Sequence, residues 1–467
     1  MSAVAIIGAG AVGLTLAGRL AQHGVQVELY EAAAEAGPIG SRAICMQRET
    51  LEIWARLGVG ERVAERGVQW RVGRTYYRGR LLFEIRLPDQ PGEHFPPFVN
   101  ISQSEVEELL LARLAALGVR INHGHRFVGL AQDGEGVDAT FETDAGTVTH
   151  RSSFLVGTDG AHSAARHAVG AEFAGYTFDD RFLIADIRAE LPFTNQRHFH
   201  FDPPWNPGRQ VLIHPQPDGV WRIDWQVPPE TDADDERANG GLDRRIRQVI
   251  GSGTSYELAW MTGYRFSQRL ADRFRFERVF LAGDAAHVMS PFGARGLNSG
   301  VADAENLAWR LAGVLDGAND ALLDGYEIER RGAALENLAA TDATMRFMAP
   351  HGALRRAWRN LVLRMAPRSA WFRARVNAGR LAEPAVYPAS VAGPQEPSLP
   401  RHGTVAPDVP LPGGGRLRDR LGRGWVTLVP GPSATDEGDV VVIGGETAYG
   451  SDRSWRIRPD GYIDSSV

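Results

Sequence analysis

The sequence predicts an α/β protein. A parallel-sheet unit is interrupted by an antiparallel sheet and followed by helices and a small strand-rich C-terminal unit. Three observations predict it. Val4 to Glu31 reads as strand, glycine turn, helix and second strand. The strand-and-turn texture returns at Phe154 to Gly160 and at Val279 to Asp284. Between those returns, Asp180 to about Arg273 alternates apolar and polar residues with Pro- and Gly-rich turns, as in an antiparallel sheet.

The opening carries the chemistry. Val4 to Ile7 is a continuous apolar run, expected of a buried parallel strand. Gly8 permits the tight turn, Gly10 lets the backbone approach a pyrophosphate, and Gly13 lets the following helix pack on the strand. Phosphate then meets unpaired N–H groups and the positive end of a helix dipole. Val25 to Tyr30 is the second strand and Glu31 is placed to accept hydrogen bonds from an adenosine ribose. In a chain with 53 glycines, chance supplies roughly 0.7 such triplets, so the spacing alone decides nothing. The strand before, the helix after and the acid 18 residues beyond Gly13 decide for a dinucleotide.

Composition narrows the class. At 467 residues and 43% hydrophobic, the chain has the length for two or more domains and an ordinary globular make-up. The net charge of −6, with 51 scattered basic residues, gives no nucleic-acid footprint. One cysteine, Cys45, excludes an internal disulfide framework and any Cys-rich metal site, so no metal is expected. Cys45 reads as a small buried hydrophobe. The first strand begins directly after Met1-Ser2-Ala3, and the apolar helix beyond Gly13 falls short of a ~20-residue span. A cytoplasmic protein without a membrane segment is the expectation.

Along the chain, Glu49 to Leu57 has helical spacing and closes at Gly58. Ser102-Gln103-Ser104-Glu105 caps a helix running to Leu117. Val119 to Arg151 reads as a strand and an antiparallel meander. A helix follows from about Leu297 to Leu315, helices continue to about Ala378, and strands return at Trp425 to Val429 and Asp439 to Ile443. The expected division assigns 1–73, 98–179 and 274–345 to the nucleotide-binding domain and 74–97 with 180–273 to the inserted sheet. Residues 346–392 form a helical segment, and 393–467 a C-terminal domain.

Gly8-x-Gly10-x-x-Gly13, Asp159-Gly160 and Gly283-Asp284 together resemble the group A flavoprotein aromatic hydroxylases, the para-hydroxybenzoate hydroxylase fold. The resemblance spans roughly 1–345. His287 to Trp309 is especially similar to the phenol hydroxylase and 3-(3-hydroxyphenyl)propionate hydroxylase branch. It implies a Rossmann-like FAD-binding domain and an inserted substrate-binding sheet. The C-terminal unit resembles the thioredoxin-like appendage of that branch, here without the cysteine pair that thiol exchange needs. Gly8, Gly10, Gly13 and Glu31 would hold the adenosine diphosphate half of a non-covalent FAD. Arg42 and Gln103 match cofactor-contacting positions, a cation and an amide suited to phosphate and ribitol oxygens. Asp159 and Gly160 resemble a motif linked to FAD and the nicotinamide nucleotide, and Gly283 with Asp284 matches the ribitol-binding turn. Gly296, Leu297 and Asn298 would aim free N–H groups at the flavin N1/O2 edge, where negative charge gathers on reduction. Arg295 would add a full charge there. Plainer readings stay open: a loop ion pair for Arg42, a capping-box neighbour for Gln103, a helix cap for Asp284 and a surface carboxylate partner for Arg295.

The implied activity is hydroxylation of a phenolic or related aromatic ring through a flavin C4a-hydroperoxide, with NADH or NADPH and O2 as co-substrates. The expected assembly is a monomer or homodimer. Pro291 and Phe292 would lie at the substrate. On Trp221 to Val227, period two puts Trp221, Ile223 and Trp225 on one face and Arg222, Asp224 and Gln226 on the other. The aromatic face suits a flat ring over the flavin, with Trp225 in the pocket, or else it is plain core. His214 is the candidate base for the substrate hydroxyl, or a satisfied structural histidine. The rivals are a flavin-binding redox protein or scaffold without turnover and a flavin-dependent halogenase, whose Trp-x-Trp-x-Ile-Pro is not met by Trp221 to Pro228.

Overall fold

The computed structural model describes residues 2–35, 43–87, 93–193, 195–348, 350, 352–376, 383–388, 399–411, 414–431, 440–443, 448–450 and 453–466. Arg42 lies outside them. Ser2–Ile7, buried from Val4 onward, is the centre of a sheet. Parallel neighbours run Val279–Leu281, Gly146–Gly157, Ser2–Ile7, Val27–Tyr30 and Arg120–Asn122. Arg126–Gln132 and Val137–Thr143 form the meander, attached antiparallel to the first half of Gly146–Gly157.

Helix Ala11–Gln22 packs on this sheet and against the long helix Gly296–Leu315. Gly300 makes that approach possible: a Cβ there would stand 2.7 Å from Val12 Cγ2 and 3.0 Å from Gly283 Cα. Gly13 is as constrained, since a Cβ would meet Gly8 O at 2.1 Å. Helix Gln103–Ala116 starts at Ser102, whose hydroxyl accepts from Glu105 N at 3.2 Å. Helix Arg48–Leu57 stops at Gly58 in the left-handed region, φ 85°.

The second sheet has the order His287–Val288, Glu257–Ala271, Phe173–Arg188, Val220–Val227, Gln210–Pro215, Gln196–Phe201, Val72–Tyr77, Arg80–Arg86. All neighbours are antiparallel except Gln196–Phe201 with Val72–Tyr77. The expected all-strand texture of this region is broken by two helices, Ala233–Ala238 and Gly241–Ile250. The second decides which face of the sheet points where. Leu242, Ile246 and Ile250 cover Trp221, Ile223, Trp225, Val211 and Ile213. The opposite face, with Phe182, Leu212, Phe199 and Phe201, packs on Phe292 near the head of the long helix. The tryptophan face therefore turns away from the nucleotide-binding sheet.

The C-terminal strands order as Val440–Ile443, Val426–Pro430, Trp455–Ile457, Ile463–Ser466, around Leu428, Tyr449, Trp455 and Ile457. Among the described residues no helix is long and apolar enough to cross a membrane. Trp225→Ala should lower unfolding stability by about 3–5 kcal/mol, because it empties a fully buried site under the Gly241–Ile250 helix. Denaturant titration of the cofactor-loaded protein measures it, and a near-zero change would place that ring elsewhere.

Candidate active site

The first site forms at the carboxyl ends of the parallel strands. Gly8, at φ 103°, leaves Ser2–Ile7 so close to the neighbouring turn that a Cβ would meet Thr158 O at 2.8 Å. Gly10 precedes helix Ala11–Gln22 and provides no side-chain cap. Its surroundings are open: a Cβ there would find Glu107 Oε1 at 3.8 Å and nothing nearer. Glu31 closes the loop, its Oε2 accepting from Ala9 N at 2.9 Å and its Oε1 from Ala33 N at 2.9 Å. A carboxylate has about four acceptor positions, so room remains for ribose hydroxyls.

Sequence reasoning missed Glu107. Its Oε1 accepts from Ala11 N at 3.1 Å and from Gln103 Nε2 at 2.8 Å. A carboxylate thus engages one N–H of the helix N-terminus, that of Ala11. Burial raises its pKa, the two hydrogen bonds oppose that rise, and nearby Glu31 adds to it. Gln103 is held from its other end by Ala43 N at 3.4 Å.

Asp159 braces the short helix Ala164–Ala168, whose cap is Ser163, accepting from Ala165 N at 3.0 Å and from the Ser163 hydroxyl. Gly160, at φ 80°, carries the turn. Arg166, also unassigned in the sequence, donates to Ala285 O at 3.0 Å and to Ala161 O at 2.8 Å. It joins this turn to Gly283–Ala285, a single helical turn with Gly283 at φ 61° and half-buried Asp284.

Pro291 to Arg295 leads into the long helix. Gly293 and Ala294 both have positive φ, 90° and 54°, a strained state for alanine. Gln47 Nε2 holds the Gly293 and Ala294 carbonyls at 3.2 and 3.1 Å. Asn298 is fully used: Oδ1 accepts from Gln47 N and Thr50 Oγ1, Nδ2 donates to Cys45 O and Ala294 O. The side chains fix the turn, and the helix has no side-chain cap, so the Gly296, Leu297 and Asn298 N–H groups are left for a ligand. Arg295 is buried and donates to Asn337 Oδ1, with Glu383 close enough to oppose the lowering of its pKa by burial.

Beside this turn lies a cavity of about 880 Å³, lined by Trp70, Gly73, Thr75, Arg197, Phe199, Phe201, Phe292 and Gly293 among others. Phe292 is in its wall, while Pro291 is exposed and outside it. Trp225 is not part of it, being packed on the far face. His214 is on the inward face, opposite Arg222, and buried behind the lining. Burial, then the charges of Arg197 and Arg222, holds its pKa far below the ordinary range, so it is a weak proton acceptor. Arg222 pairs with Asp186 at 2.7 Å. Asp224, on the same face, is pushed up to about 7 by burial, with Arg222 opposing.

A family model described as an FAD binding domain matches residues 1–341. The chain belongs to the FAD-binding aromatic hydroxylase family. The hydroxylase is 35% identical over 368 residues to a flavin-dependent monooxygenase of Mycobacteroides abscessus, covering 74% of this chain and 75% of that one. It is 33% identical over 362 residues to a rifampicin monooxygenase of Streptomyces venezuelae, covering 74% and 71%. A solved ternary complex of aklavinone-11 hydroxylase with FAD and aklavinone superposes with TM-score 0.79 at 25% identity, covering 100% of this chain and 95% of that one.

The hydroxylase's own geometry fits FAD. Gly10 leaves the backbone open to close approach, Glu31 keeps acceptor positions free beside the turn, and the uncapped Gly296–Leu315 helix has N–H donors without a side-chain cap. Gly10→Val should give colourless protein with near-normal stability, whereas Gly13→Ala should lose both colour and stability, because only Gly13 has backbone in the way. Absorbance at 450 nm and thermal unfolding separate the two.

Asp224 gives a pH test. Its folded pKa is raised, so a cost is present above about pH 7 and disappears as pH falls toward the unfolded value near 3.9. Asp224→Asn should therefore stabilise by roughly 2–4 kcal/mol at pH 8 and by less at pH 5. Equal gains at both pH values would mean that the carboxyl is not held protonated.

Proposed function

We propose that this chain is an NAD(P)H-driven FAD monooxygenase that hydroxylates a small phenolic or related aromatic substrate. The net reaction takes ArH, O2, NAD(P)H and H⁺ to ArOH, H2O and NAD(P)⁺. The observation that carries this reading is the cavity. Trp70, Phe199, Phe201 and Phe292 supply flat apolar walls, and the cavity reaches Gly293 at the head of the uncapped helix. When bound, FAD supplies electron transfer to O2 and delivery of one oxygen atom to the ring.

The chain's residues do the rest. The Gly8–Gly13 turn and Glu31 anchor the nucleotide end, and Gln103 lies beside them. Gly296, Leu297 and Asn298 turn backbone N–H groups toward the site of developing negative charge. The inserted sheet and Phe292 exclude water from the ring. NADH or NADPH binds without a second glycine-rich fold of its own, since no second Gly-x-Gly-x-x-Gly occurs.

The protein should purify yellow, and acid precipitation should release the colour. NAD(P)H consumption in air should rise when the right aromatic is added, and product formed under ¹⁸O2 should carry one labelled atom. If a broad panel of phenols, hydroxybenzoates and hydroxyphenylpropionates yields only hydrogen peroxide, the reading fails. Arg295→Ala should lower the flavin potential only slightly, by about 1 kcal/mol or ~20 mV for a two-electron couple, because Asn337 and Glu383 already engage the charge. A shift several times larger would bring Arg295 into direct contact with the flavin.

A further inference from the structure

Two helices beyond the long one, Ala353–Met365 and Ala370–Val376, carry a charge opposite to that of the whole molecule. Residues 353–376 hold seven arginines and no Asp or Glu, in a chain of net charge −6. Arg359 turns inward and donates to Met348 O at 3.1 Å. Arg355, Arg356, Arg364, Arg368, Arg373 and Arg375 are exposed, and among the described residues none of these six makes an ion pair.

Large apolar side chains lie exposed among these cations. Leu354, Trp358 and Leu361 recur at i, i+4 and i+7, one stripe of the first helix. Leu354 is 88% exposed, and Trp358, Leu361 and Trp371 are about half exposed. Phe372 joins the two helices, its ring centroid 6.4 Å from that of Trp358 and 4.8 Å from that of Trp371. The stripe is not the packing face. Val362, Leu363 and Ala366 are the buried side, and Leu363 joins the core of Phe182, Phe199 and Phe292. Single exposed leucines are ordinary, but a continuous apolar stripe rimmed by unpaired cations marks a surface that meets something.

Charge decides what that is. A two-fold contact with a second copy would set the same patch against itself and bring the arginines together. Nucleic acid would answer the cations but gives Leu354 and Leu361 nothing apolar to enter. A lipid headgroup layer answers both: leucine and tryptophan enter the boundary, and the arginine stems lie flat with their heads at the phosphates. No membrane span is needed, since such a helix lies in the plane of the surface. The contact would also adjoin the cavity, because Arg375 and Val376 are in its lining.

We propose that Ala353–Met365 and Ala370–Val376 dock this protein on the surface of an anionic phospholipid bilayer. The proposal does not depend on the hydroxylase reading. The test is co-sedimentation of the FAD-loaded full chain with vesicles of phosphatidylcholine, alone or with about one-third phosphatidylglycerol. Binding to the anionic vesicles should be roughly tenfold tighter, and should collapse in ~1 M NaCl, where screening acts within about 3 Å. Arg355→Glu with Arg356→Glu should weaken it by roughly tenfold or more. Leu354→Ser should weaken it severalfold, with FAD content unchanged in both variants. If the double variant fails to fold, Leu354→Ser and the wild-type lipid comparison decide. Equal or undetectable binding to the two vesicles overturns the proposal, as does anionic binding that survives both variants. A concentration-dependent dimer that Leu354→Ser breaks would overturn it in favour of a second copy. Tighter binding to single-stranded DNA than to the anionic vesicles would overturn it in favour of nucleic acid.

Discussion

The buried carboxylate of Asp303 ties the cofactor end of this protein together. It is fully excluded from water and accepts three hydrogen bonds: Gly283 N at 3.0 Å, His287 Nε2 at 2.7 Å and Arg330 Nε at 2.7 Å. Burial alone would raise its pKa. The charges of His287 and Arg330, with the hydrogen bonds, reverse that and hold it down at about 2. A depressed folded pKa means the stabilisation is fully present above the unfolded value near 3.9 and is lost as pH falls toward 2. Asp303 sits one turn along the long helix from Gly300, whose missing side chain admits Val12 and Gly283. One carboxylate and one glycine thus fix the long helix against both glycine turns. The N–H groups at Gly296 to Asn298 are positioned as a consequence.

Side chains near the cofactor site mostly hold backbone rather than reach for ligand. Asn298 spends four hydrogen bonds on Gln47, Thr50, Cys45 and Ala294, and Asp159 accepts from Ala165 N in the first turn of Ala164–Ala168. This is why glycine spacing was informative in the sequence: the groups these turns leave without side-chain partners are main-chain N–H, and glycine marks where main chain is exposed. It is also why Glu107 was invisible. Nothing in its own helix distinguishes it from Glu105 or Glu108, and only the fold brings it 3.1 Å from Ala11 N, 96 residues earlier in the chain.

The inserted sheet shows the other limit. Period two correctly separates Trp221, Ile223 and Trp225 from Arg222, Asp224 and Gln226, because alternation is a property of the strand alone. Which face turns inward depends on what covers the other. That cover is Gly241–Ile250, with Leu242, Ile246 and Ile250 at helical spacing inside a stretch otherwise read as strands. Recognising those three residues as a helix would have assigned the tryptophans to it. The polar, arginine-bearing face would then have been left for the cavity.

The C-terminal unit completes the enclosure. Arg458 bonds Glu329 through both terminal nitrogens and pairs with Asp460, which also accepts from Trp309 Nε1 at 3.1 Å on the long helix. Arg19 reaches Gly422 O at 2.6 Å, and Tyr462 OH donates to Glu49 at 2.8 Å. Buried ion pairs of this kind add little net stability over an apolar contact, since desolvation offsets much of the attraction. They penalise any misaligned docking, because a shifted unit would leave Arg458 or Asp460 buried and unpaired. Alignment matters here for a definite reason. Tyr387, Asp460, Gly461 and Tyr462 line the same cavity as Phe292 and Arg197. A chain segment without cysteines to do chemistry of its own is held in register by charge, and what it registers is a wall of the cavity beside Phe292 and Gly293.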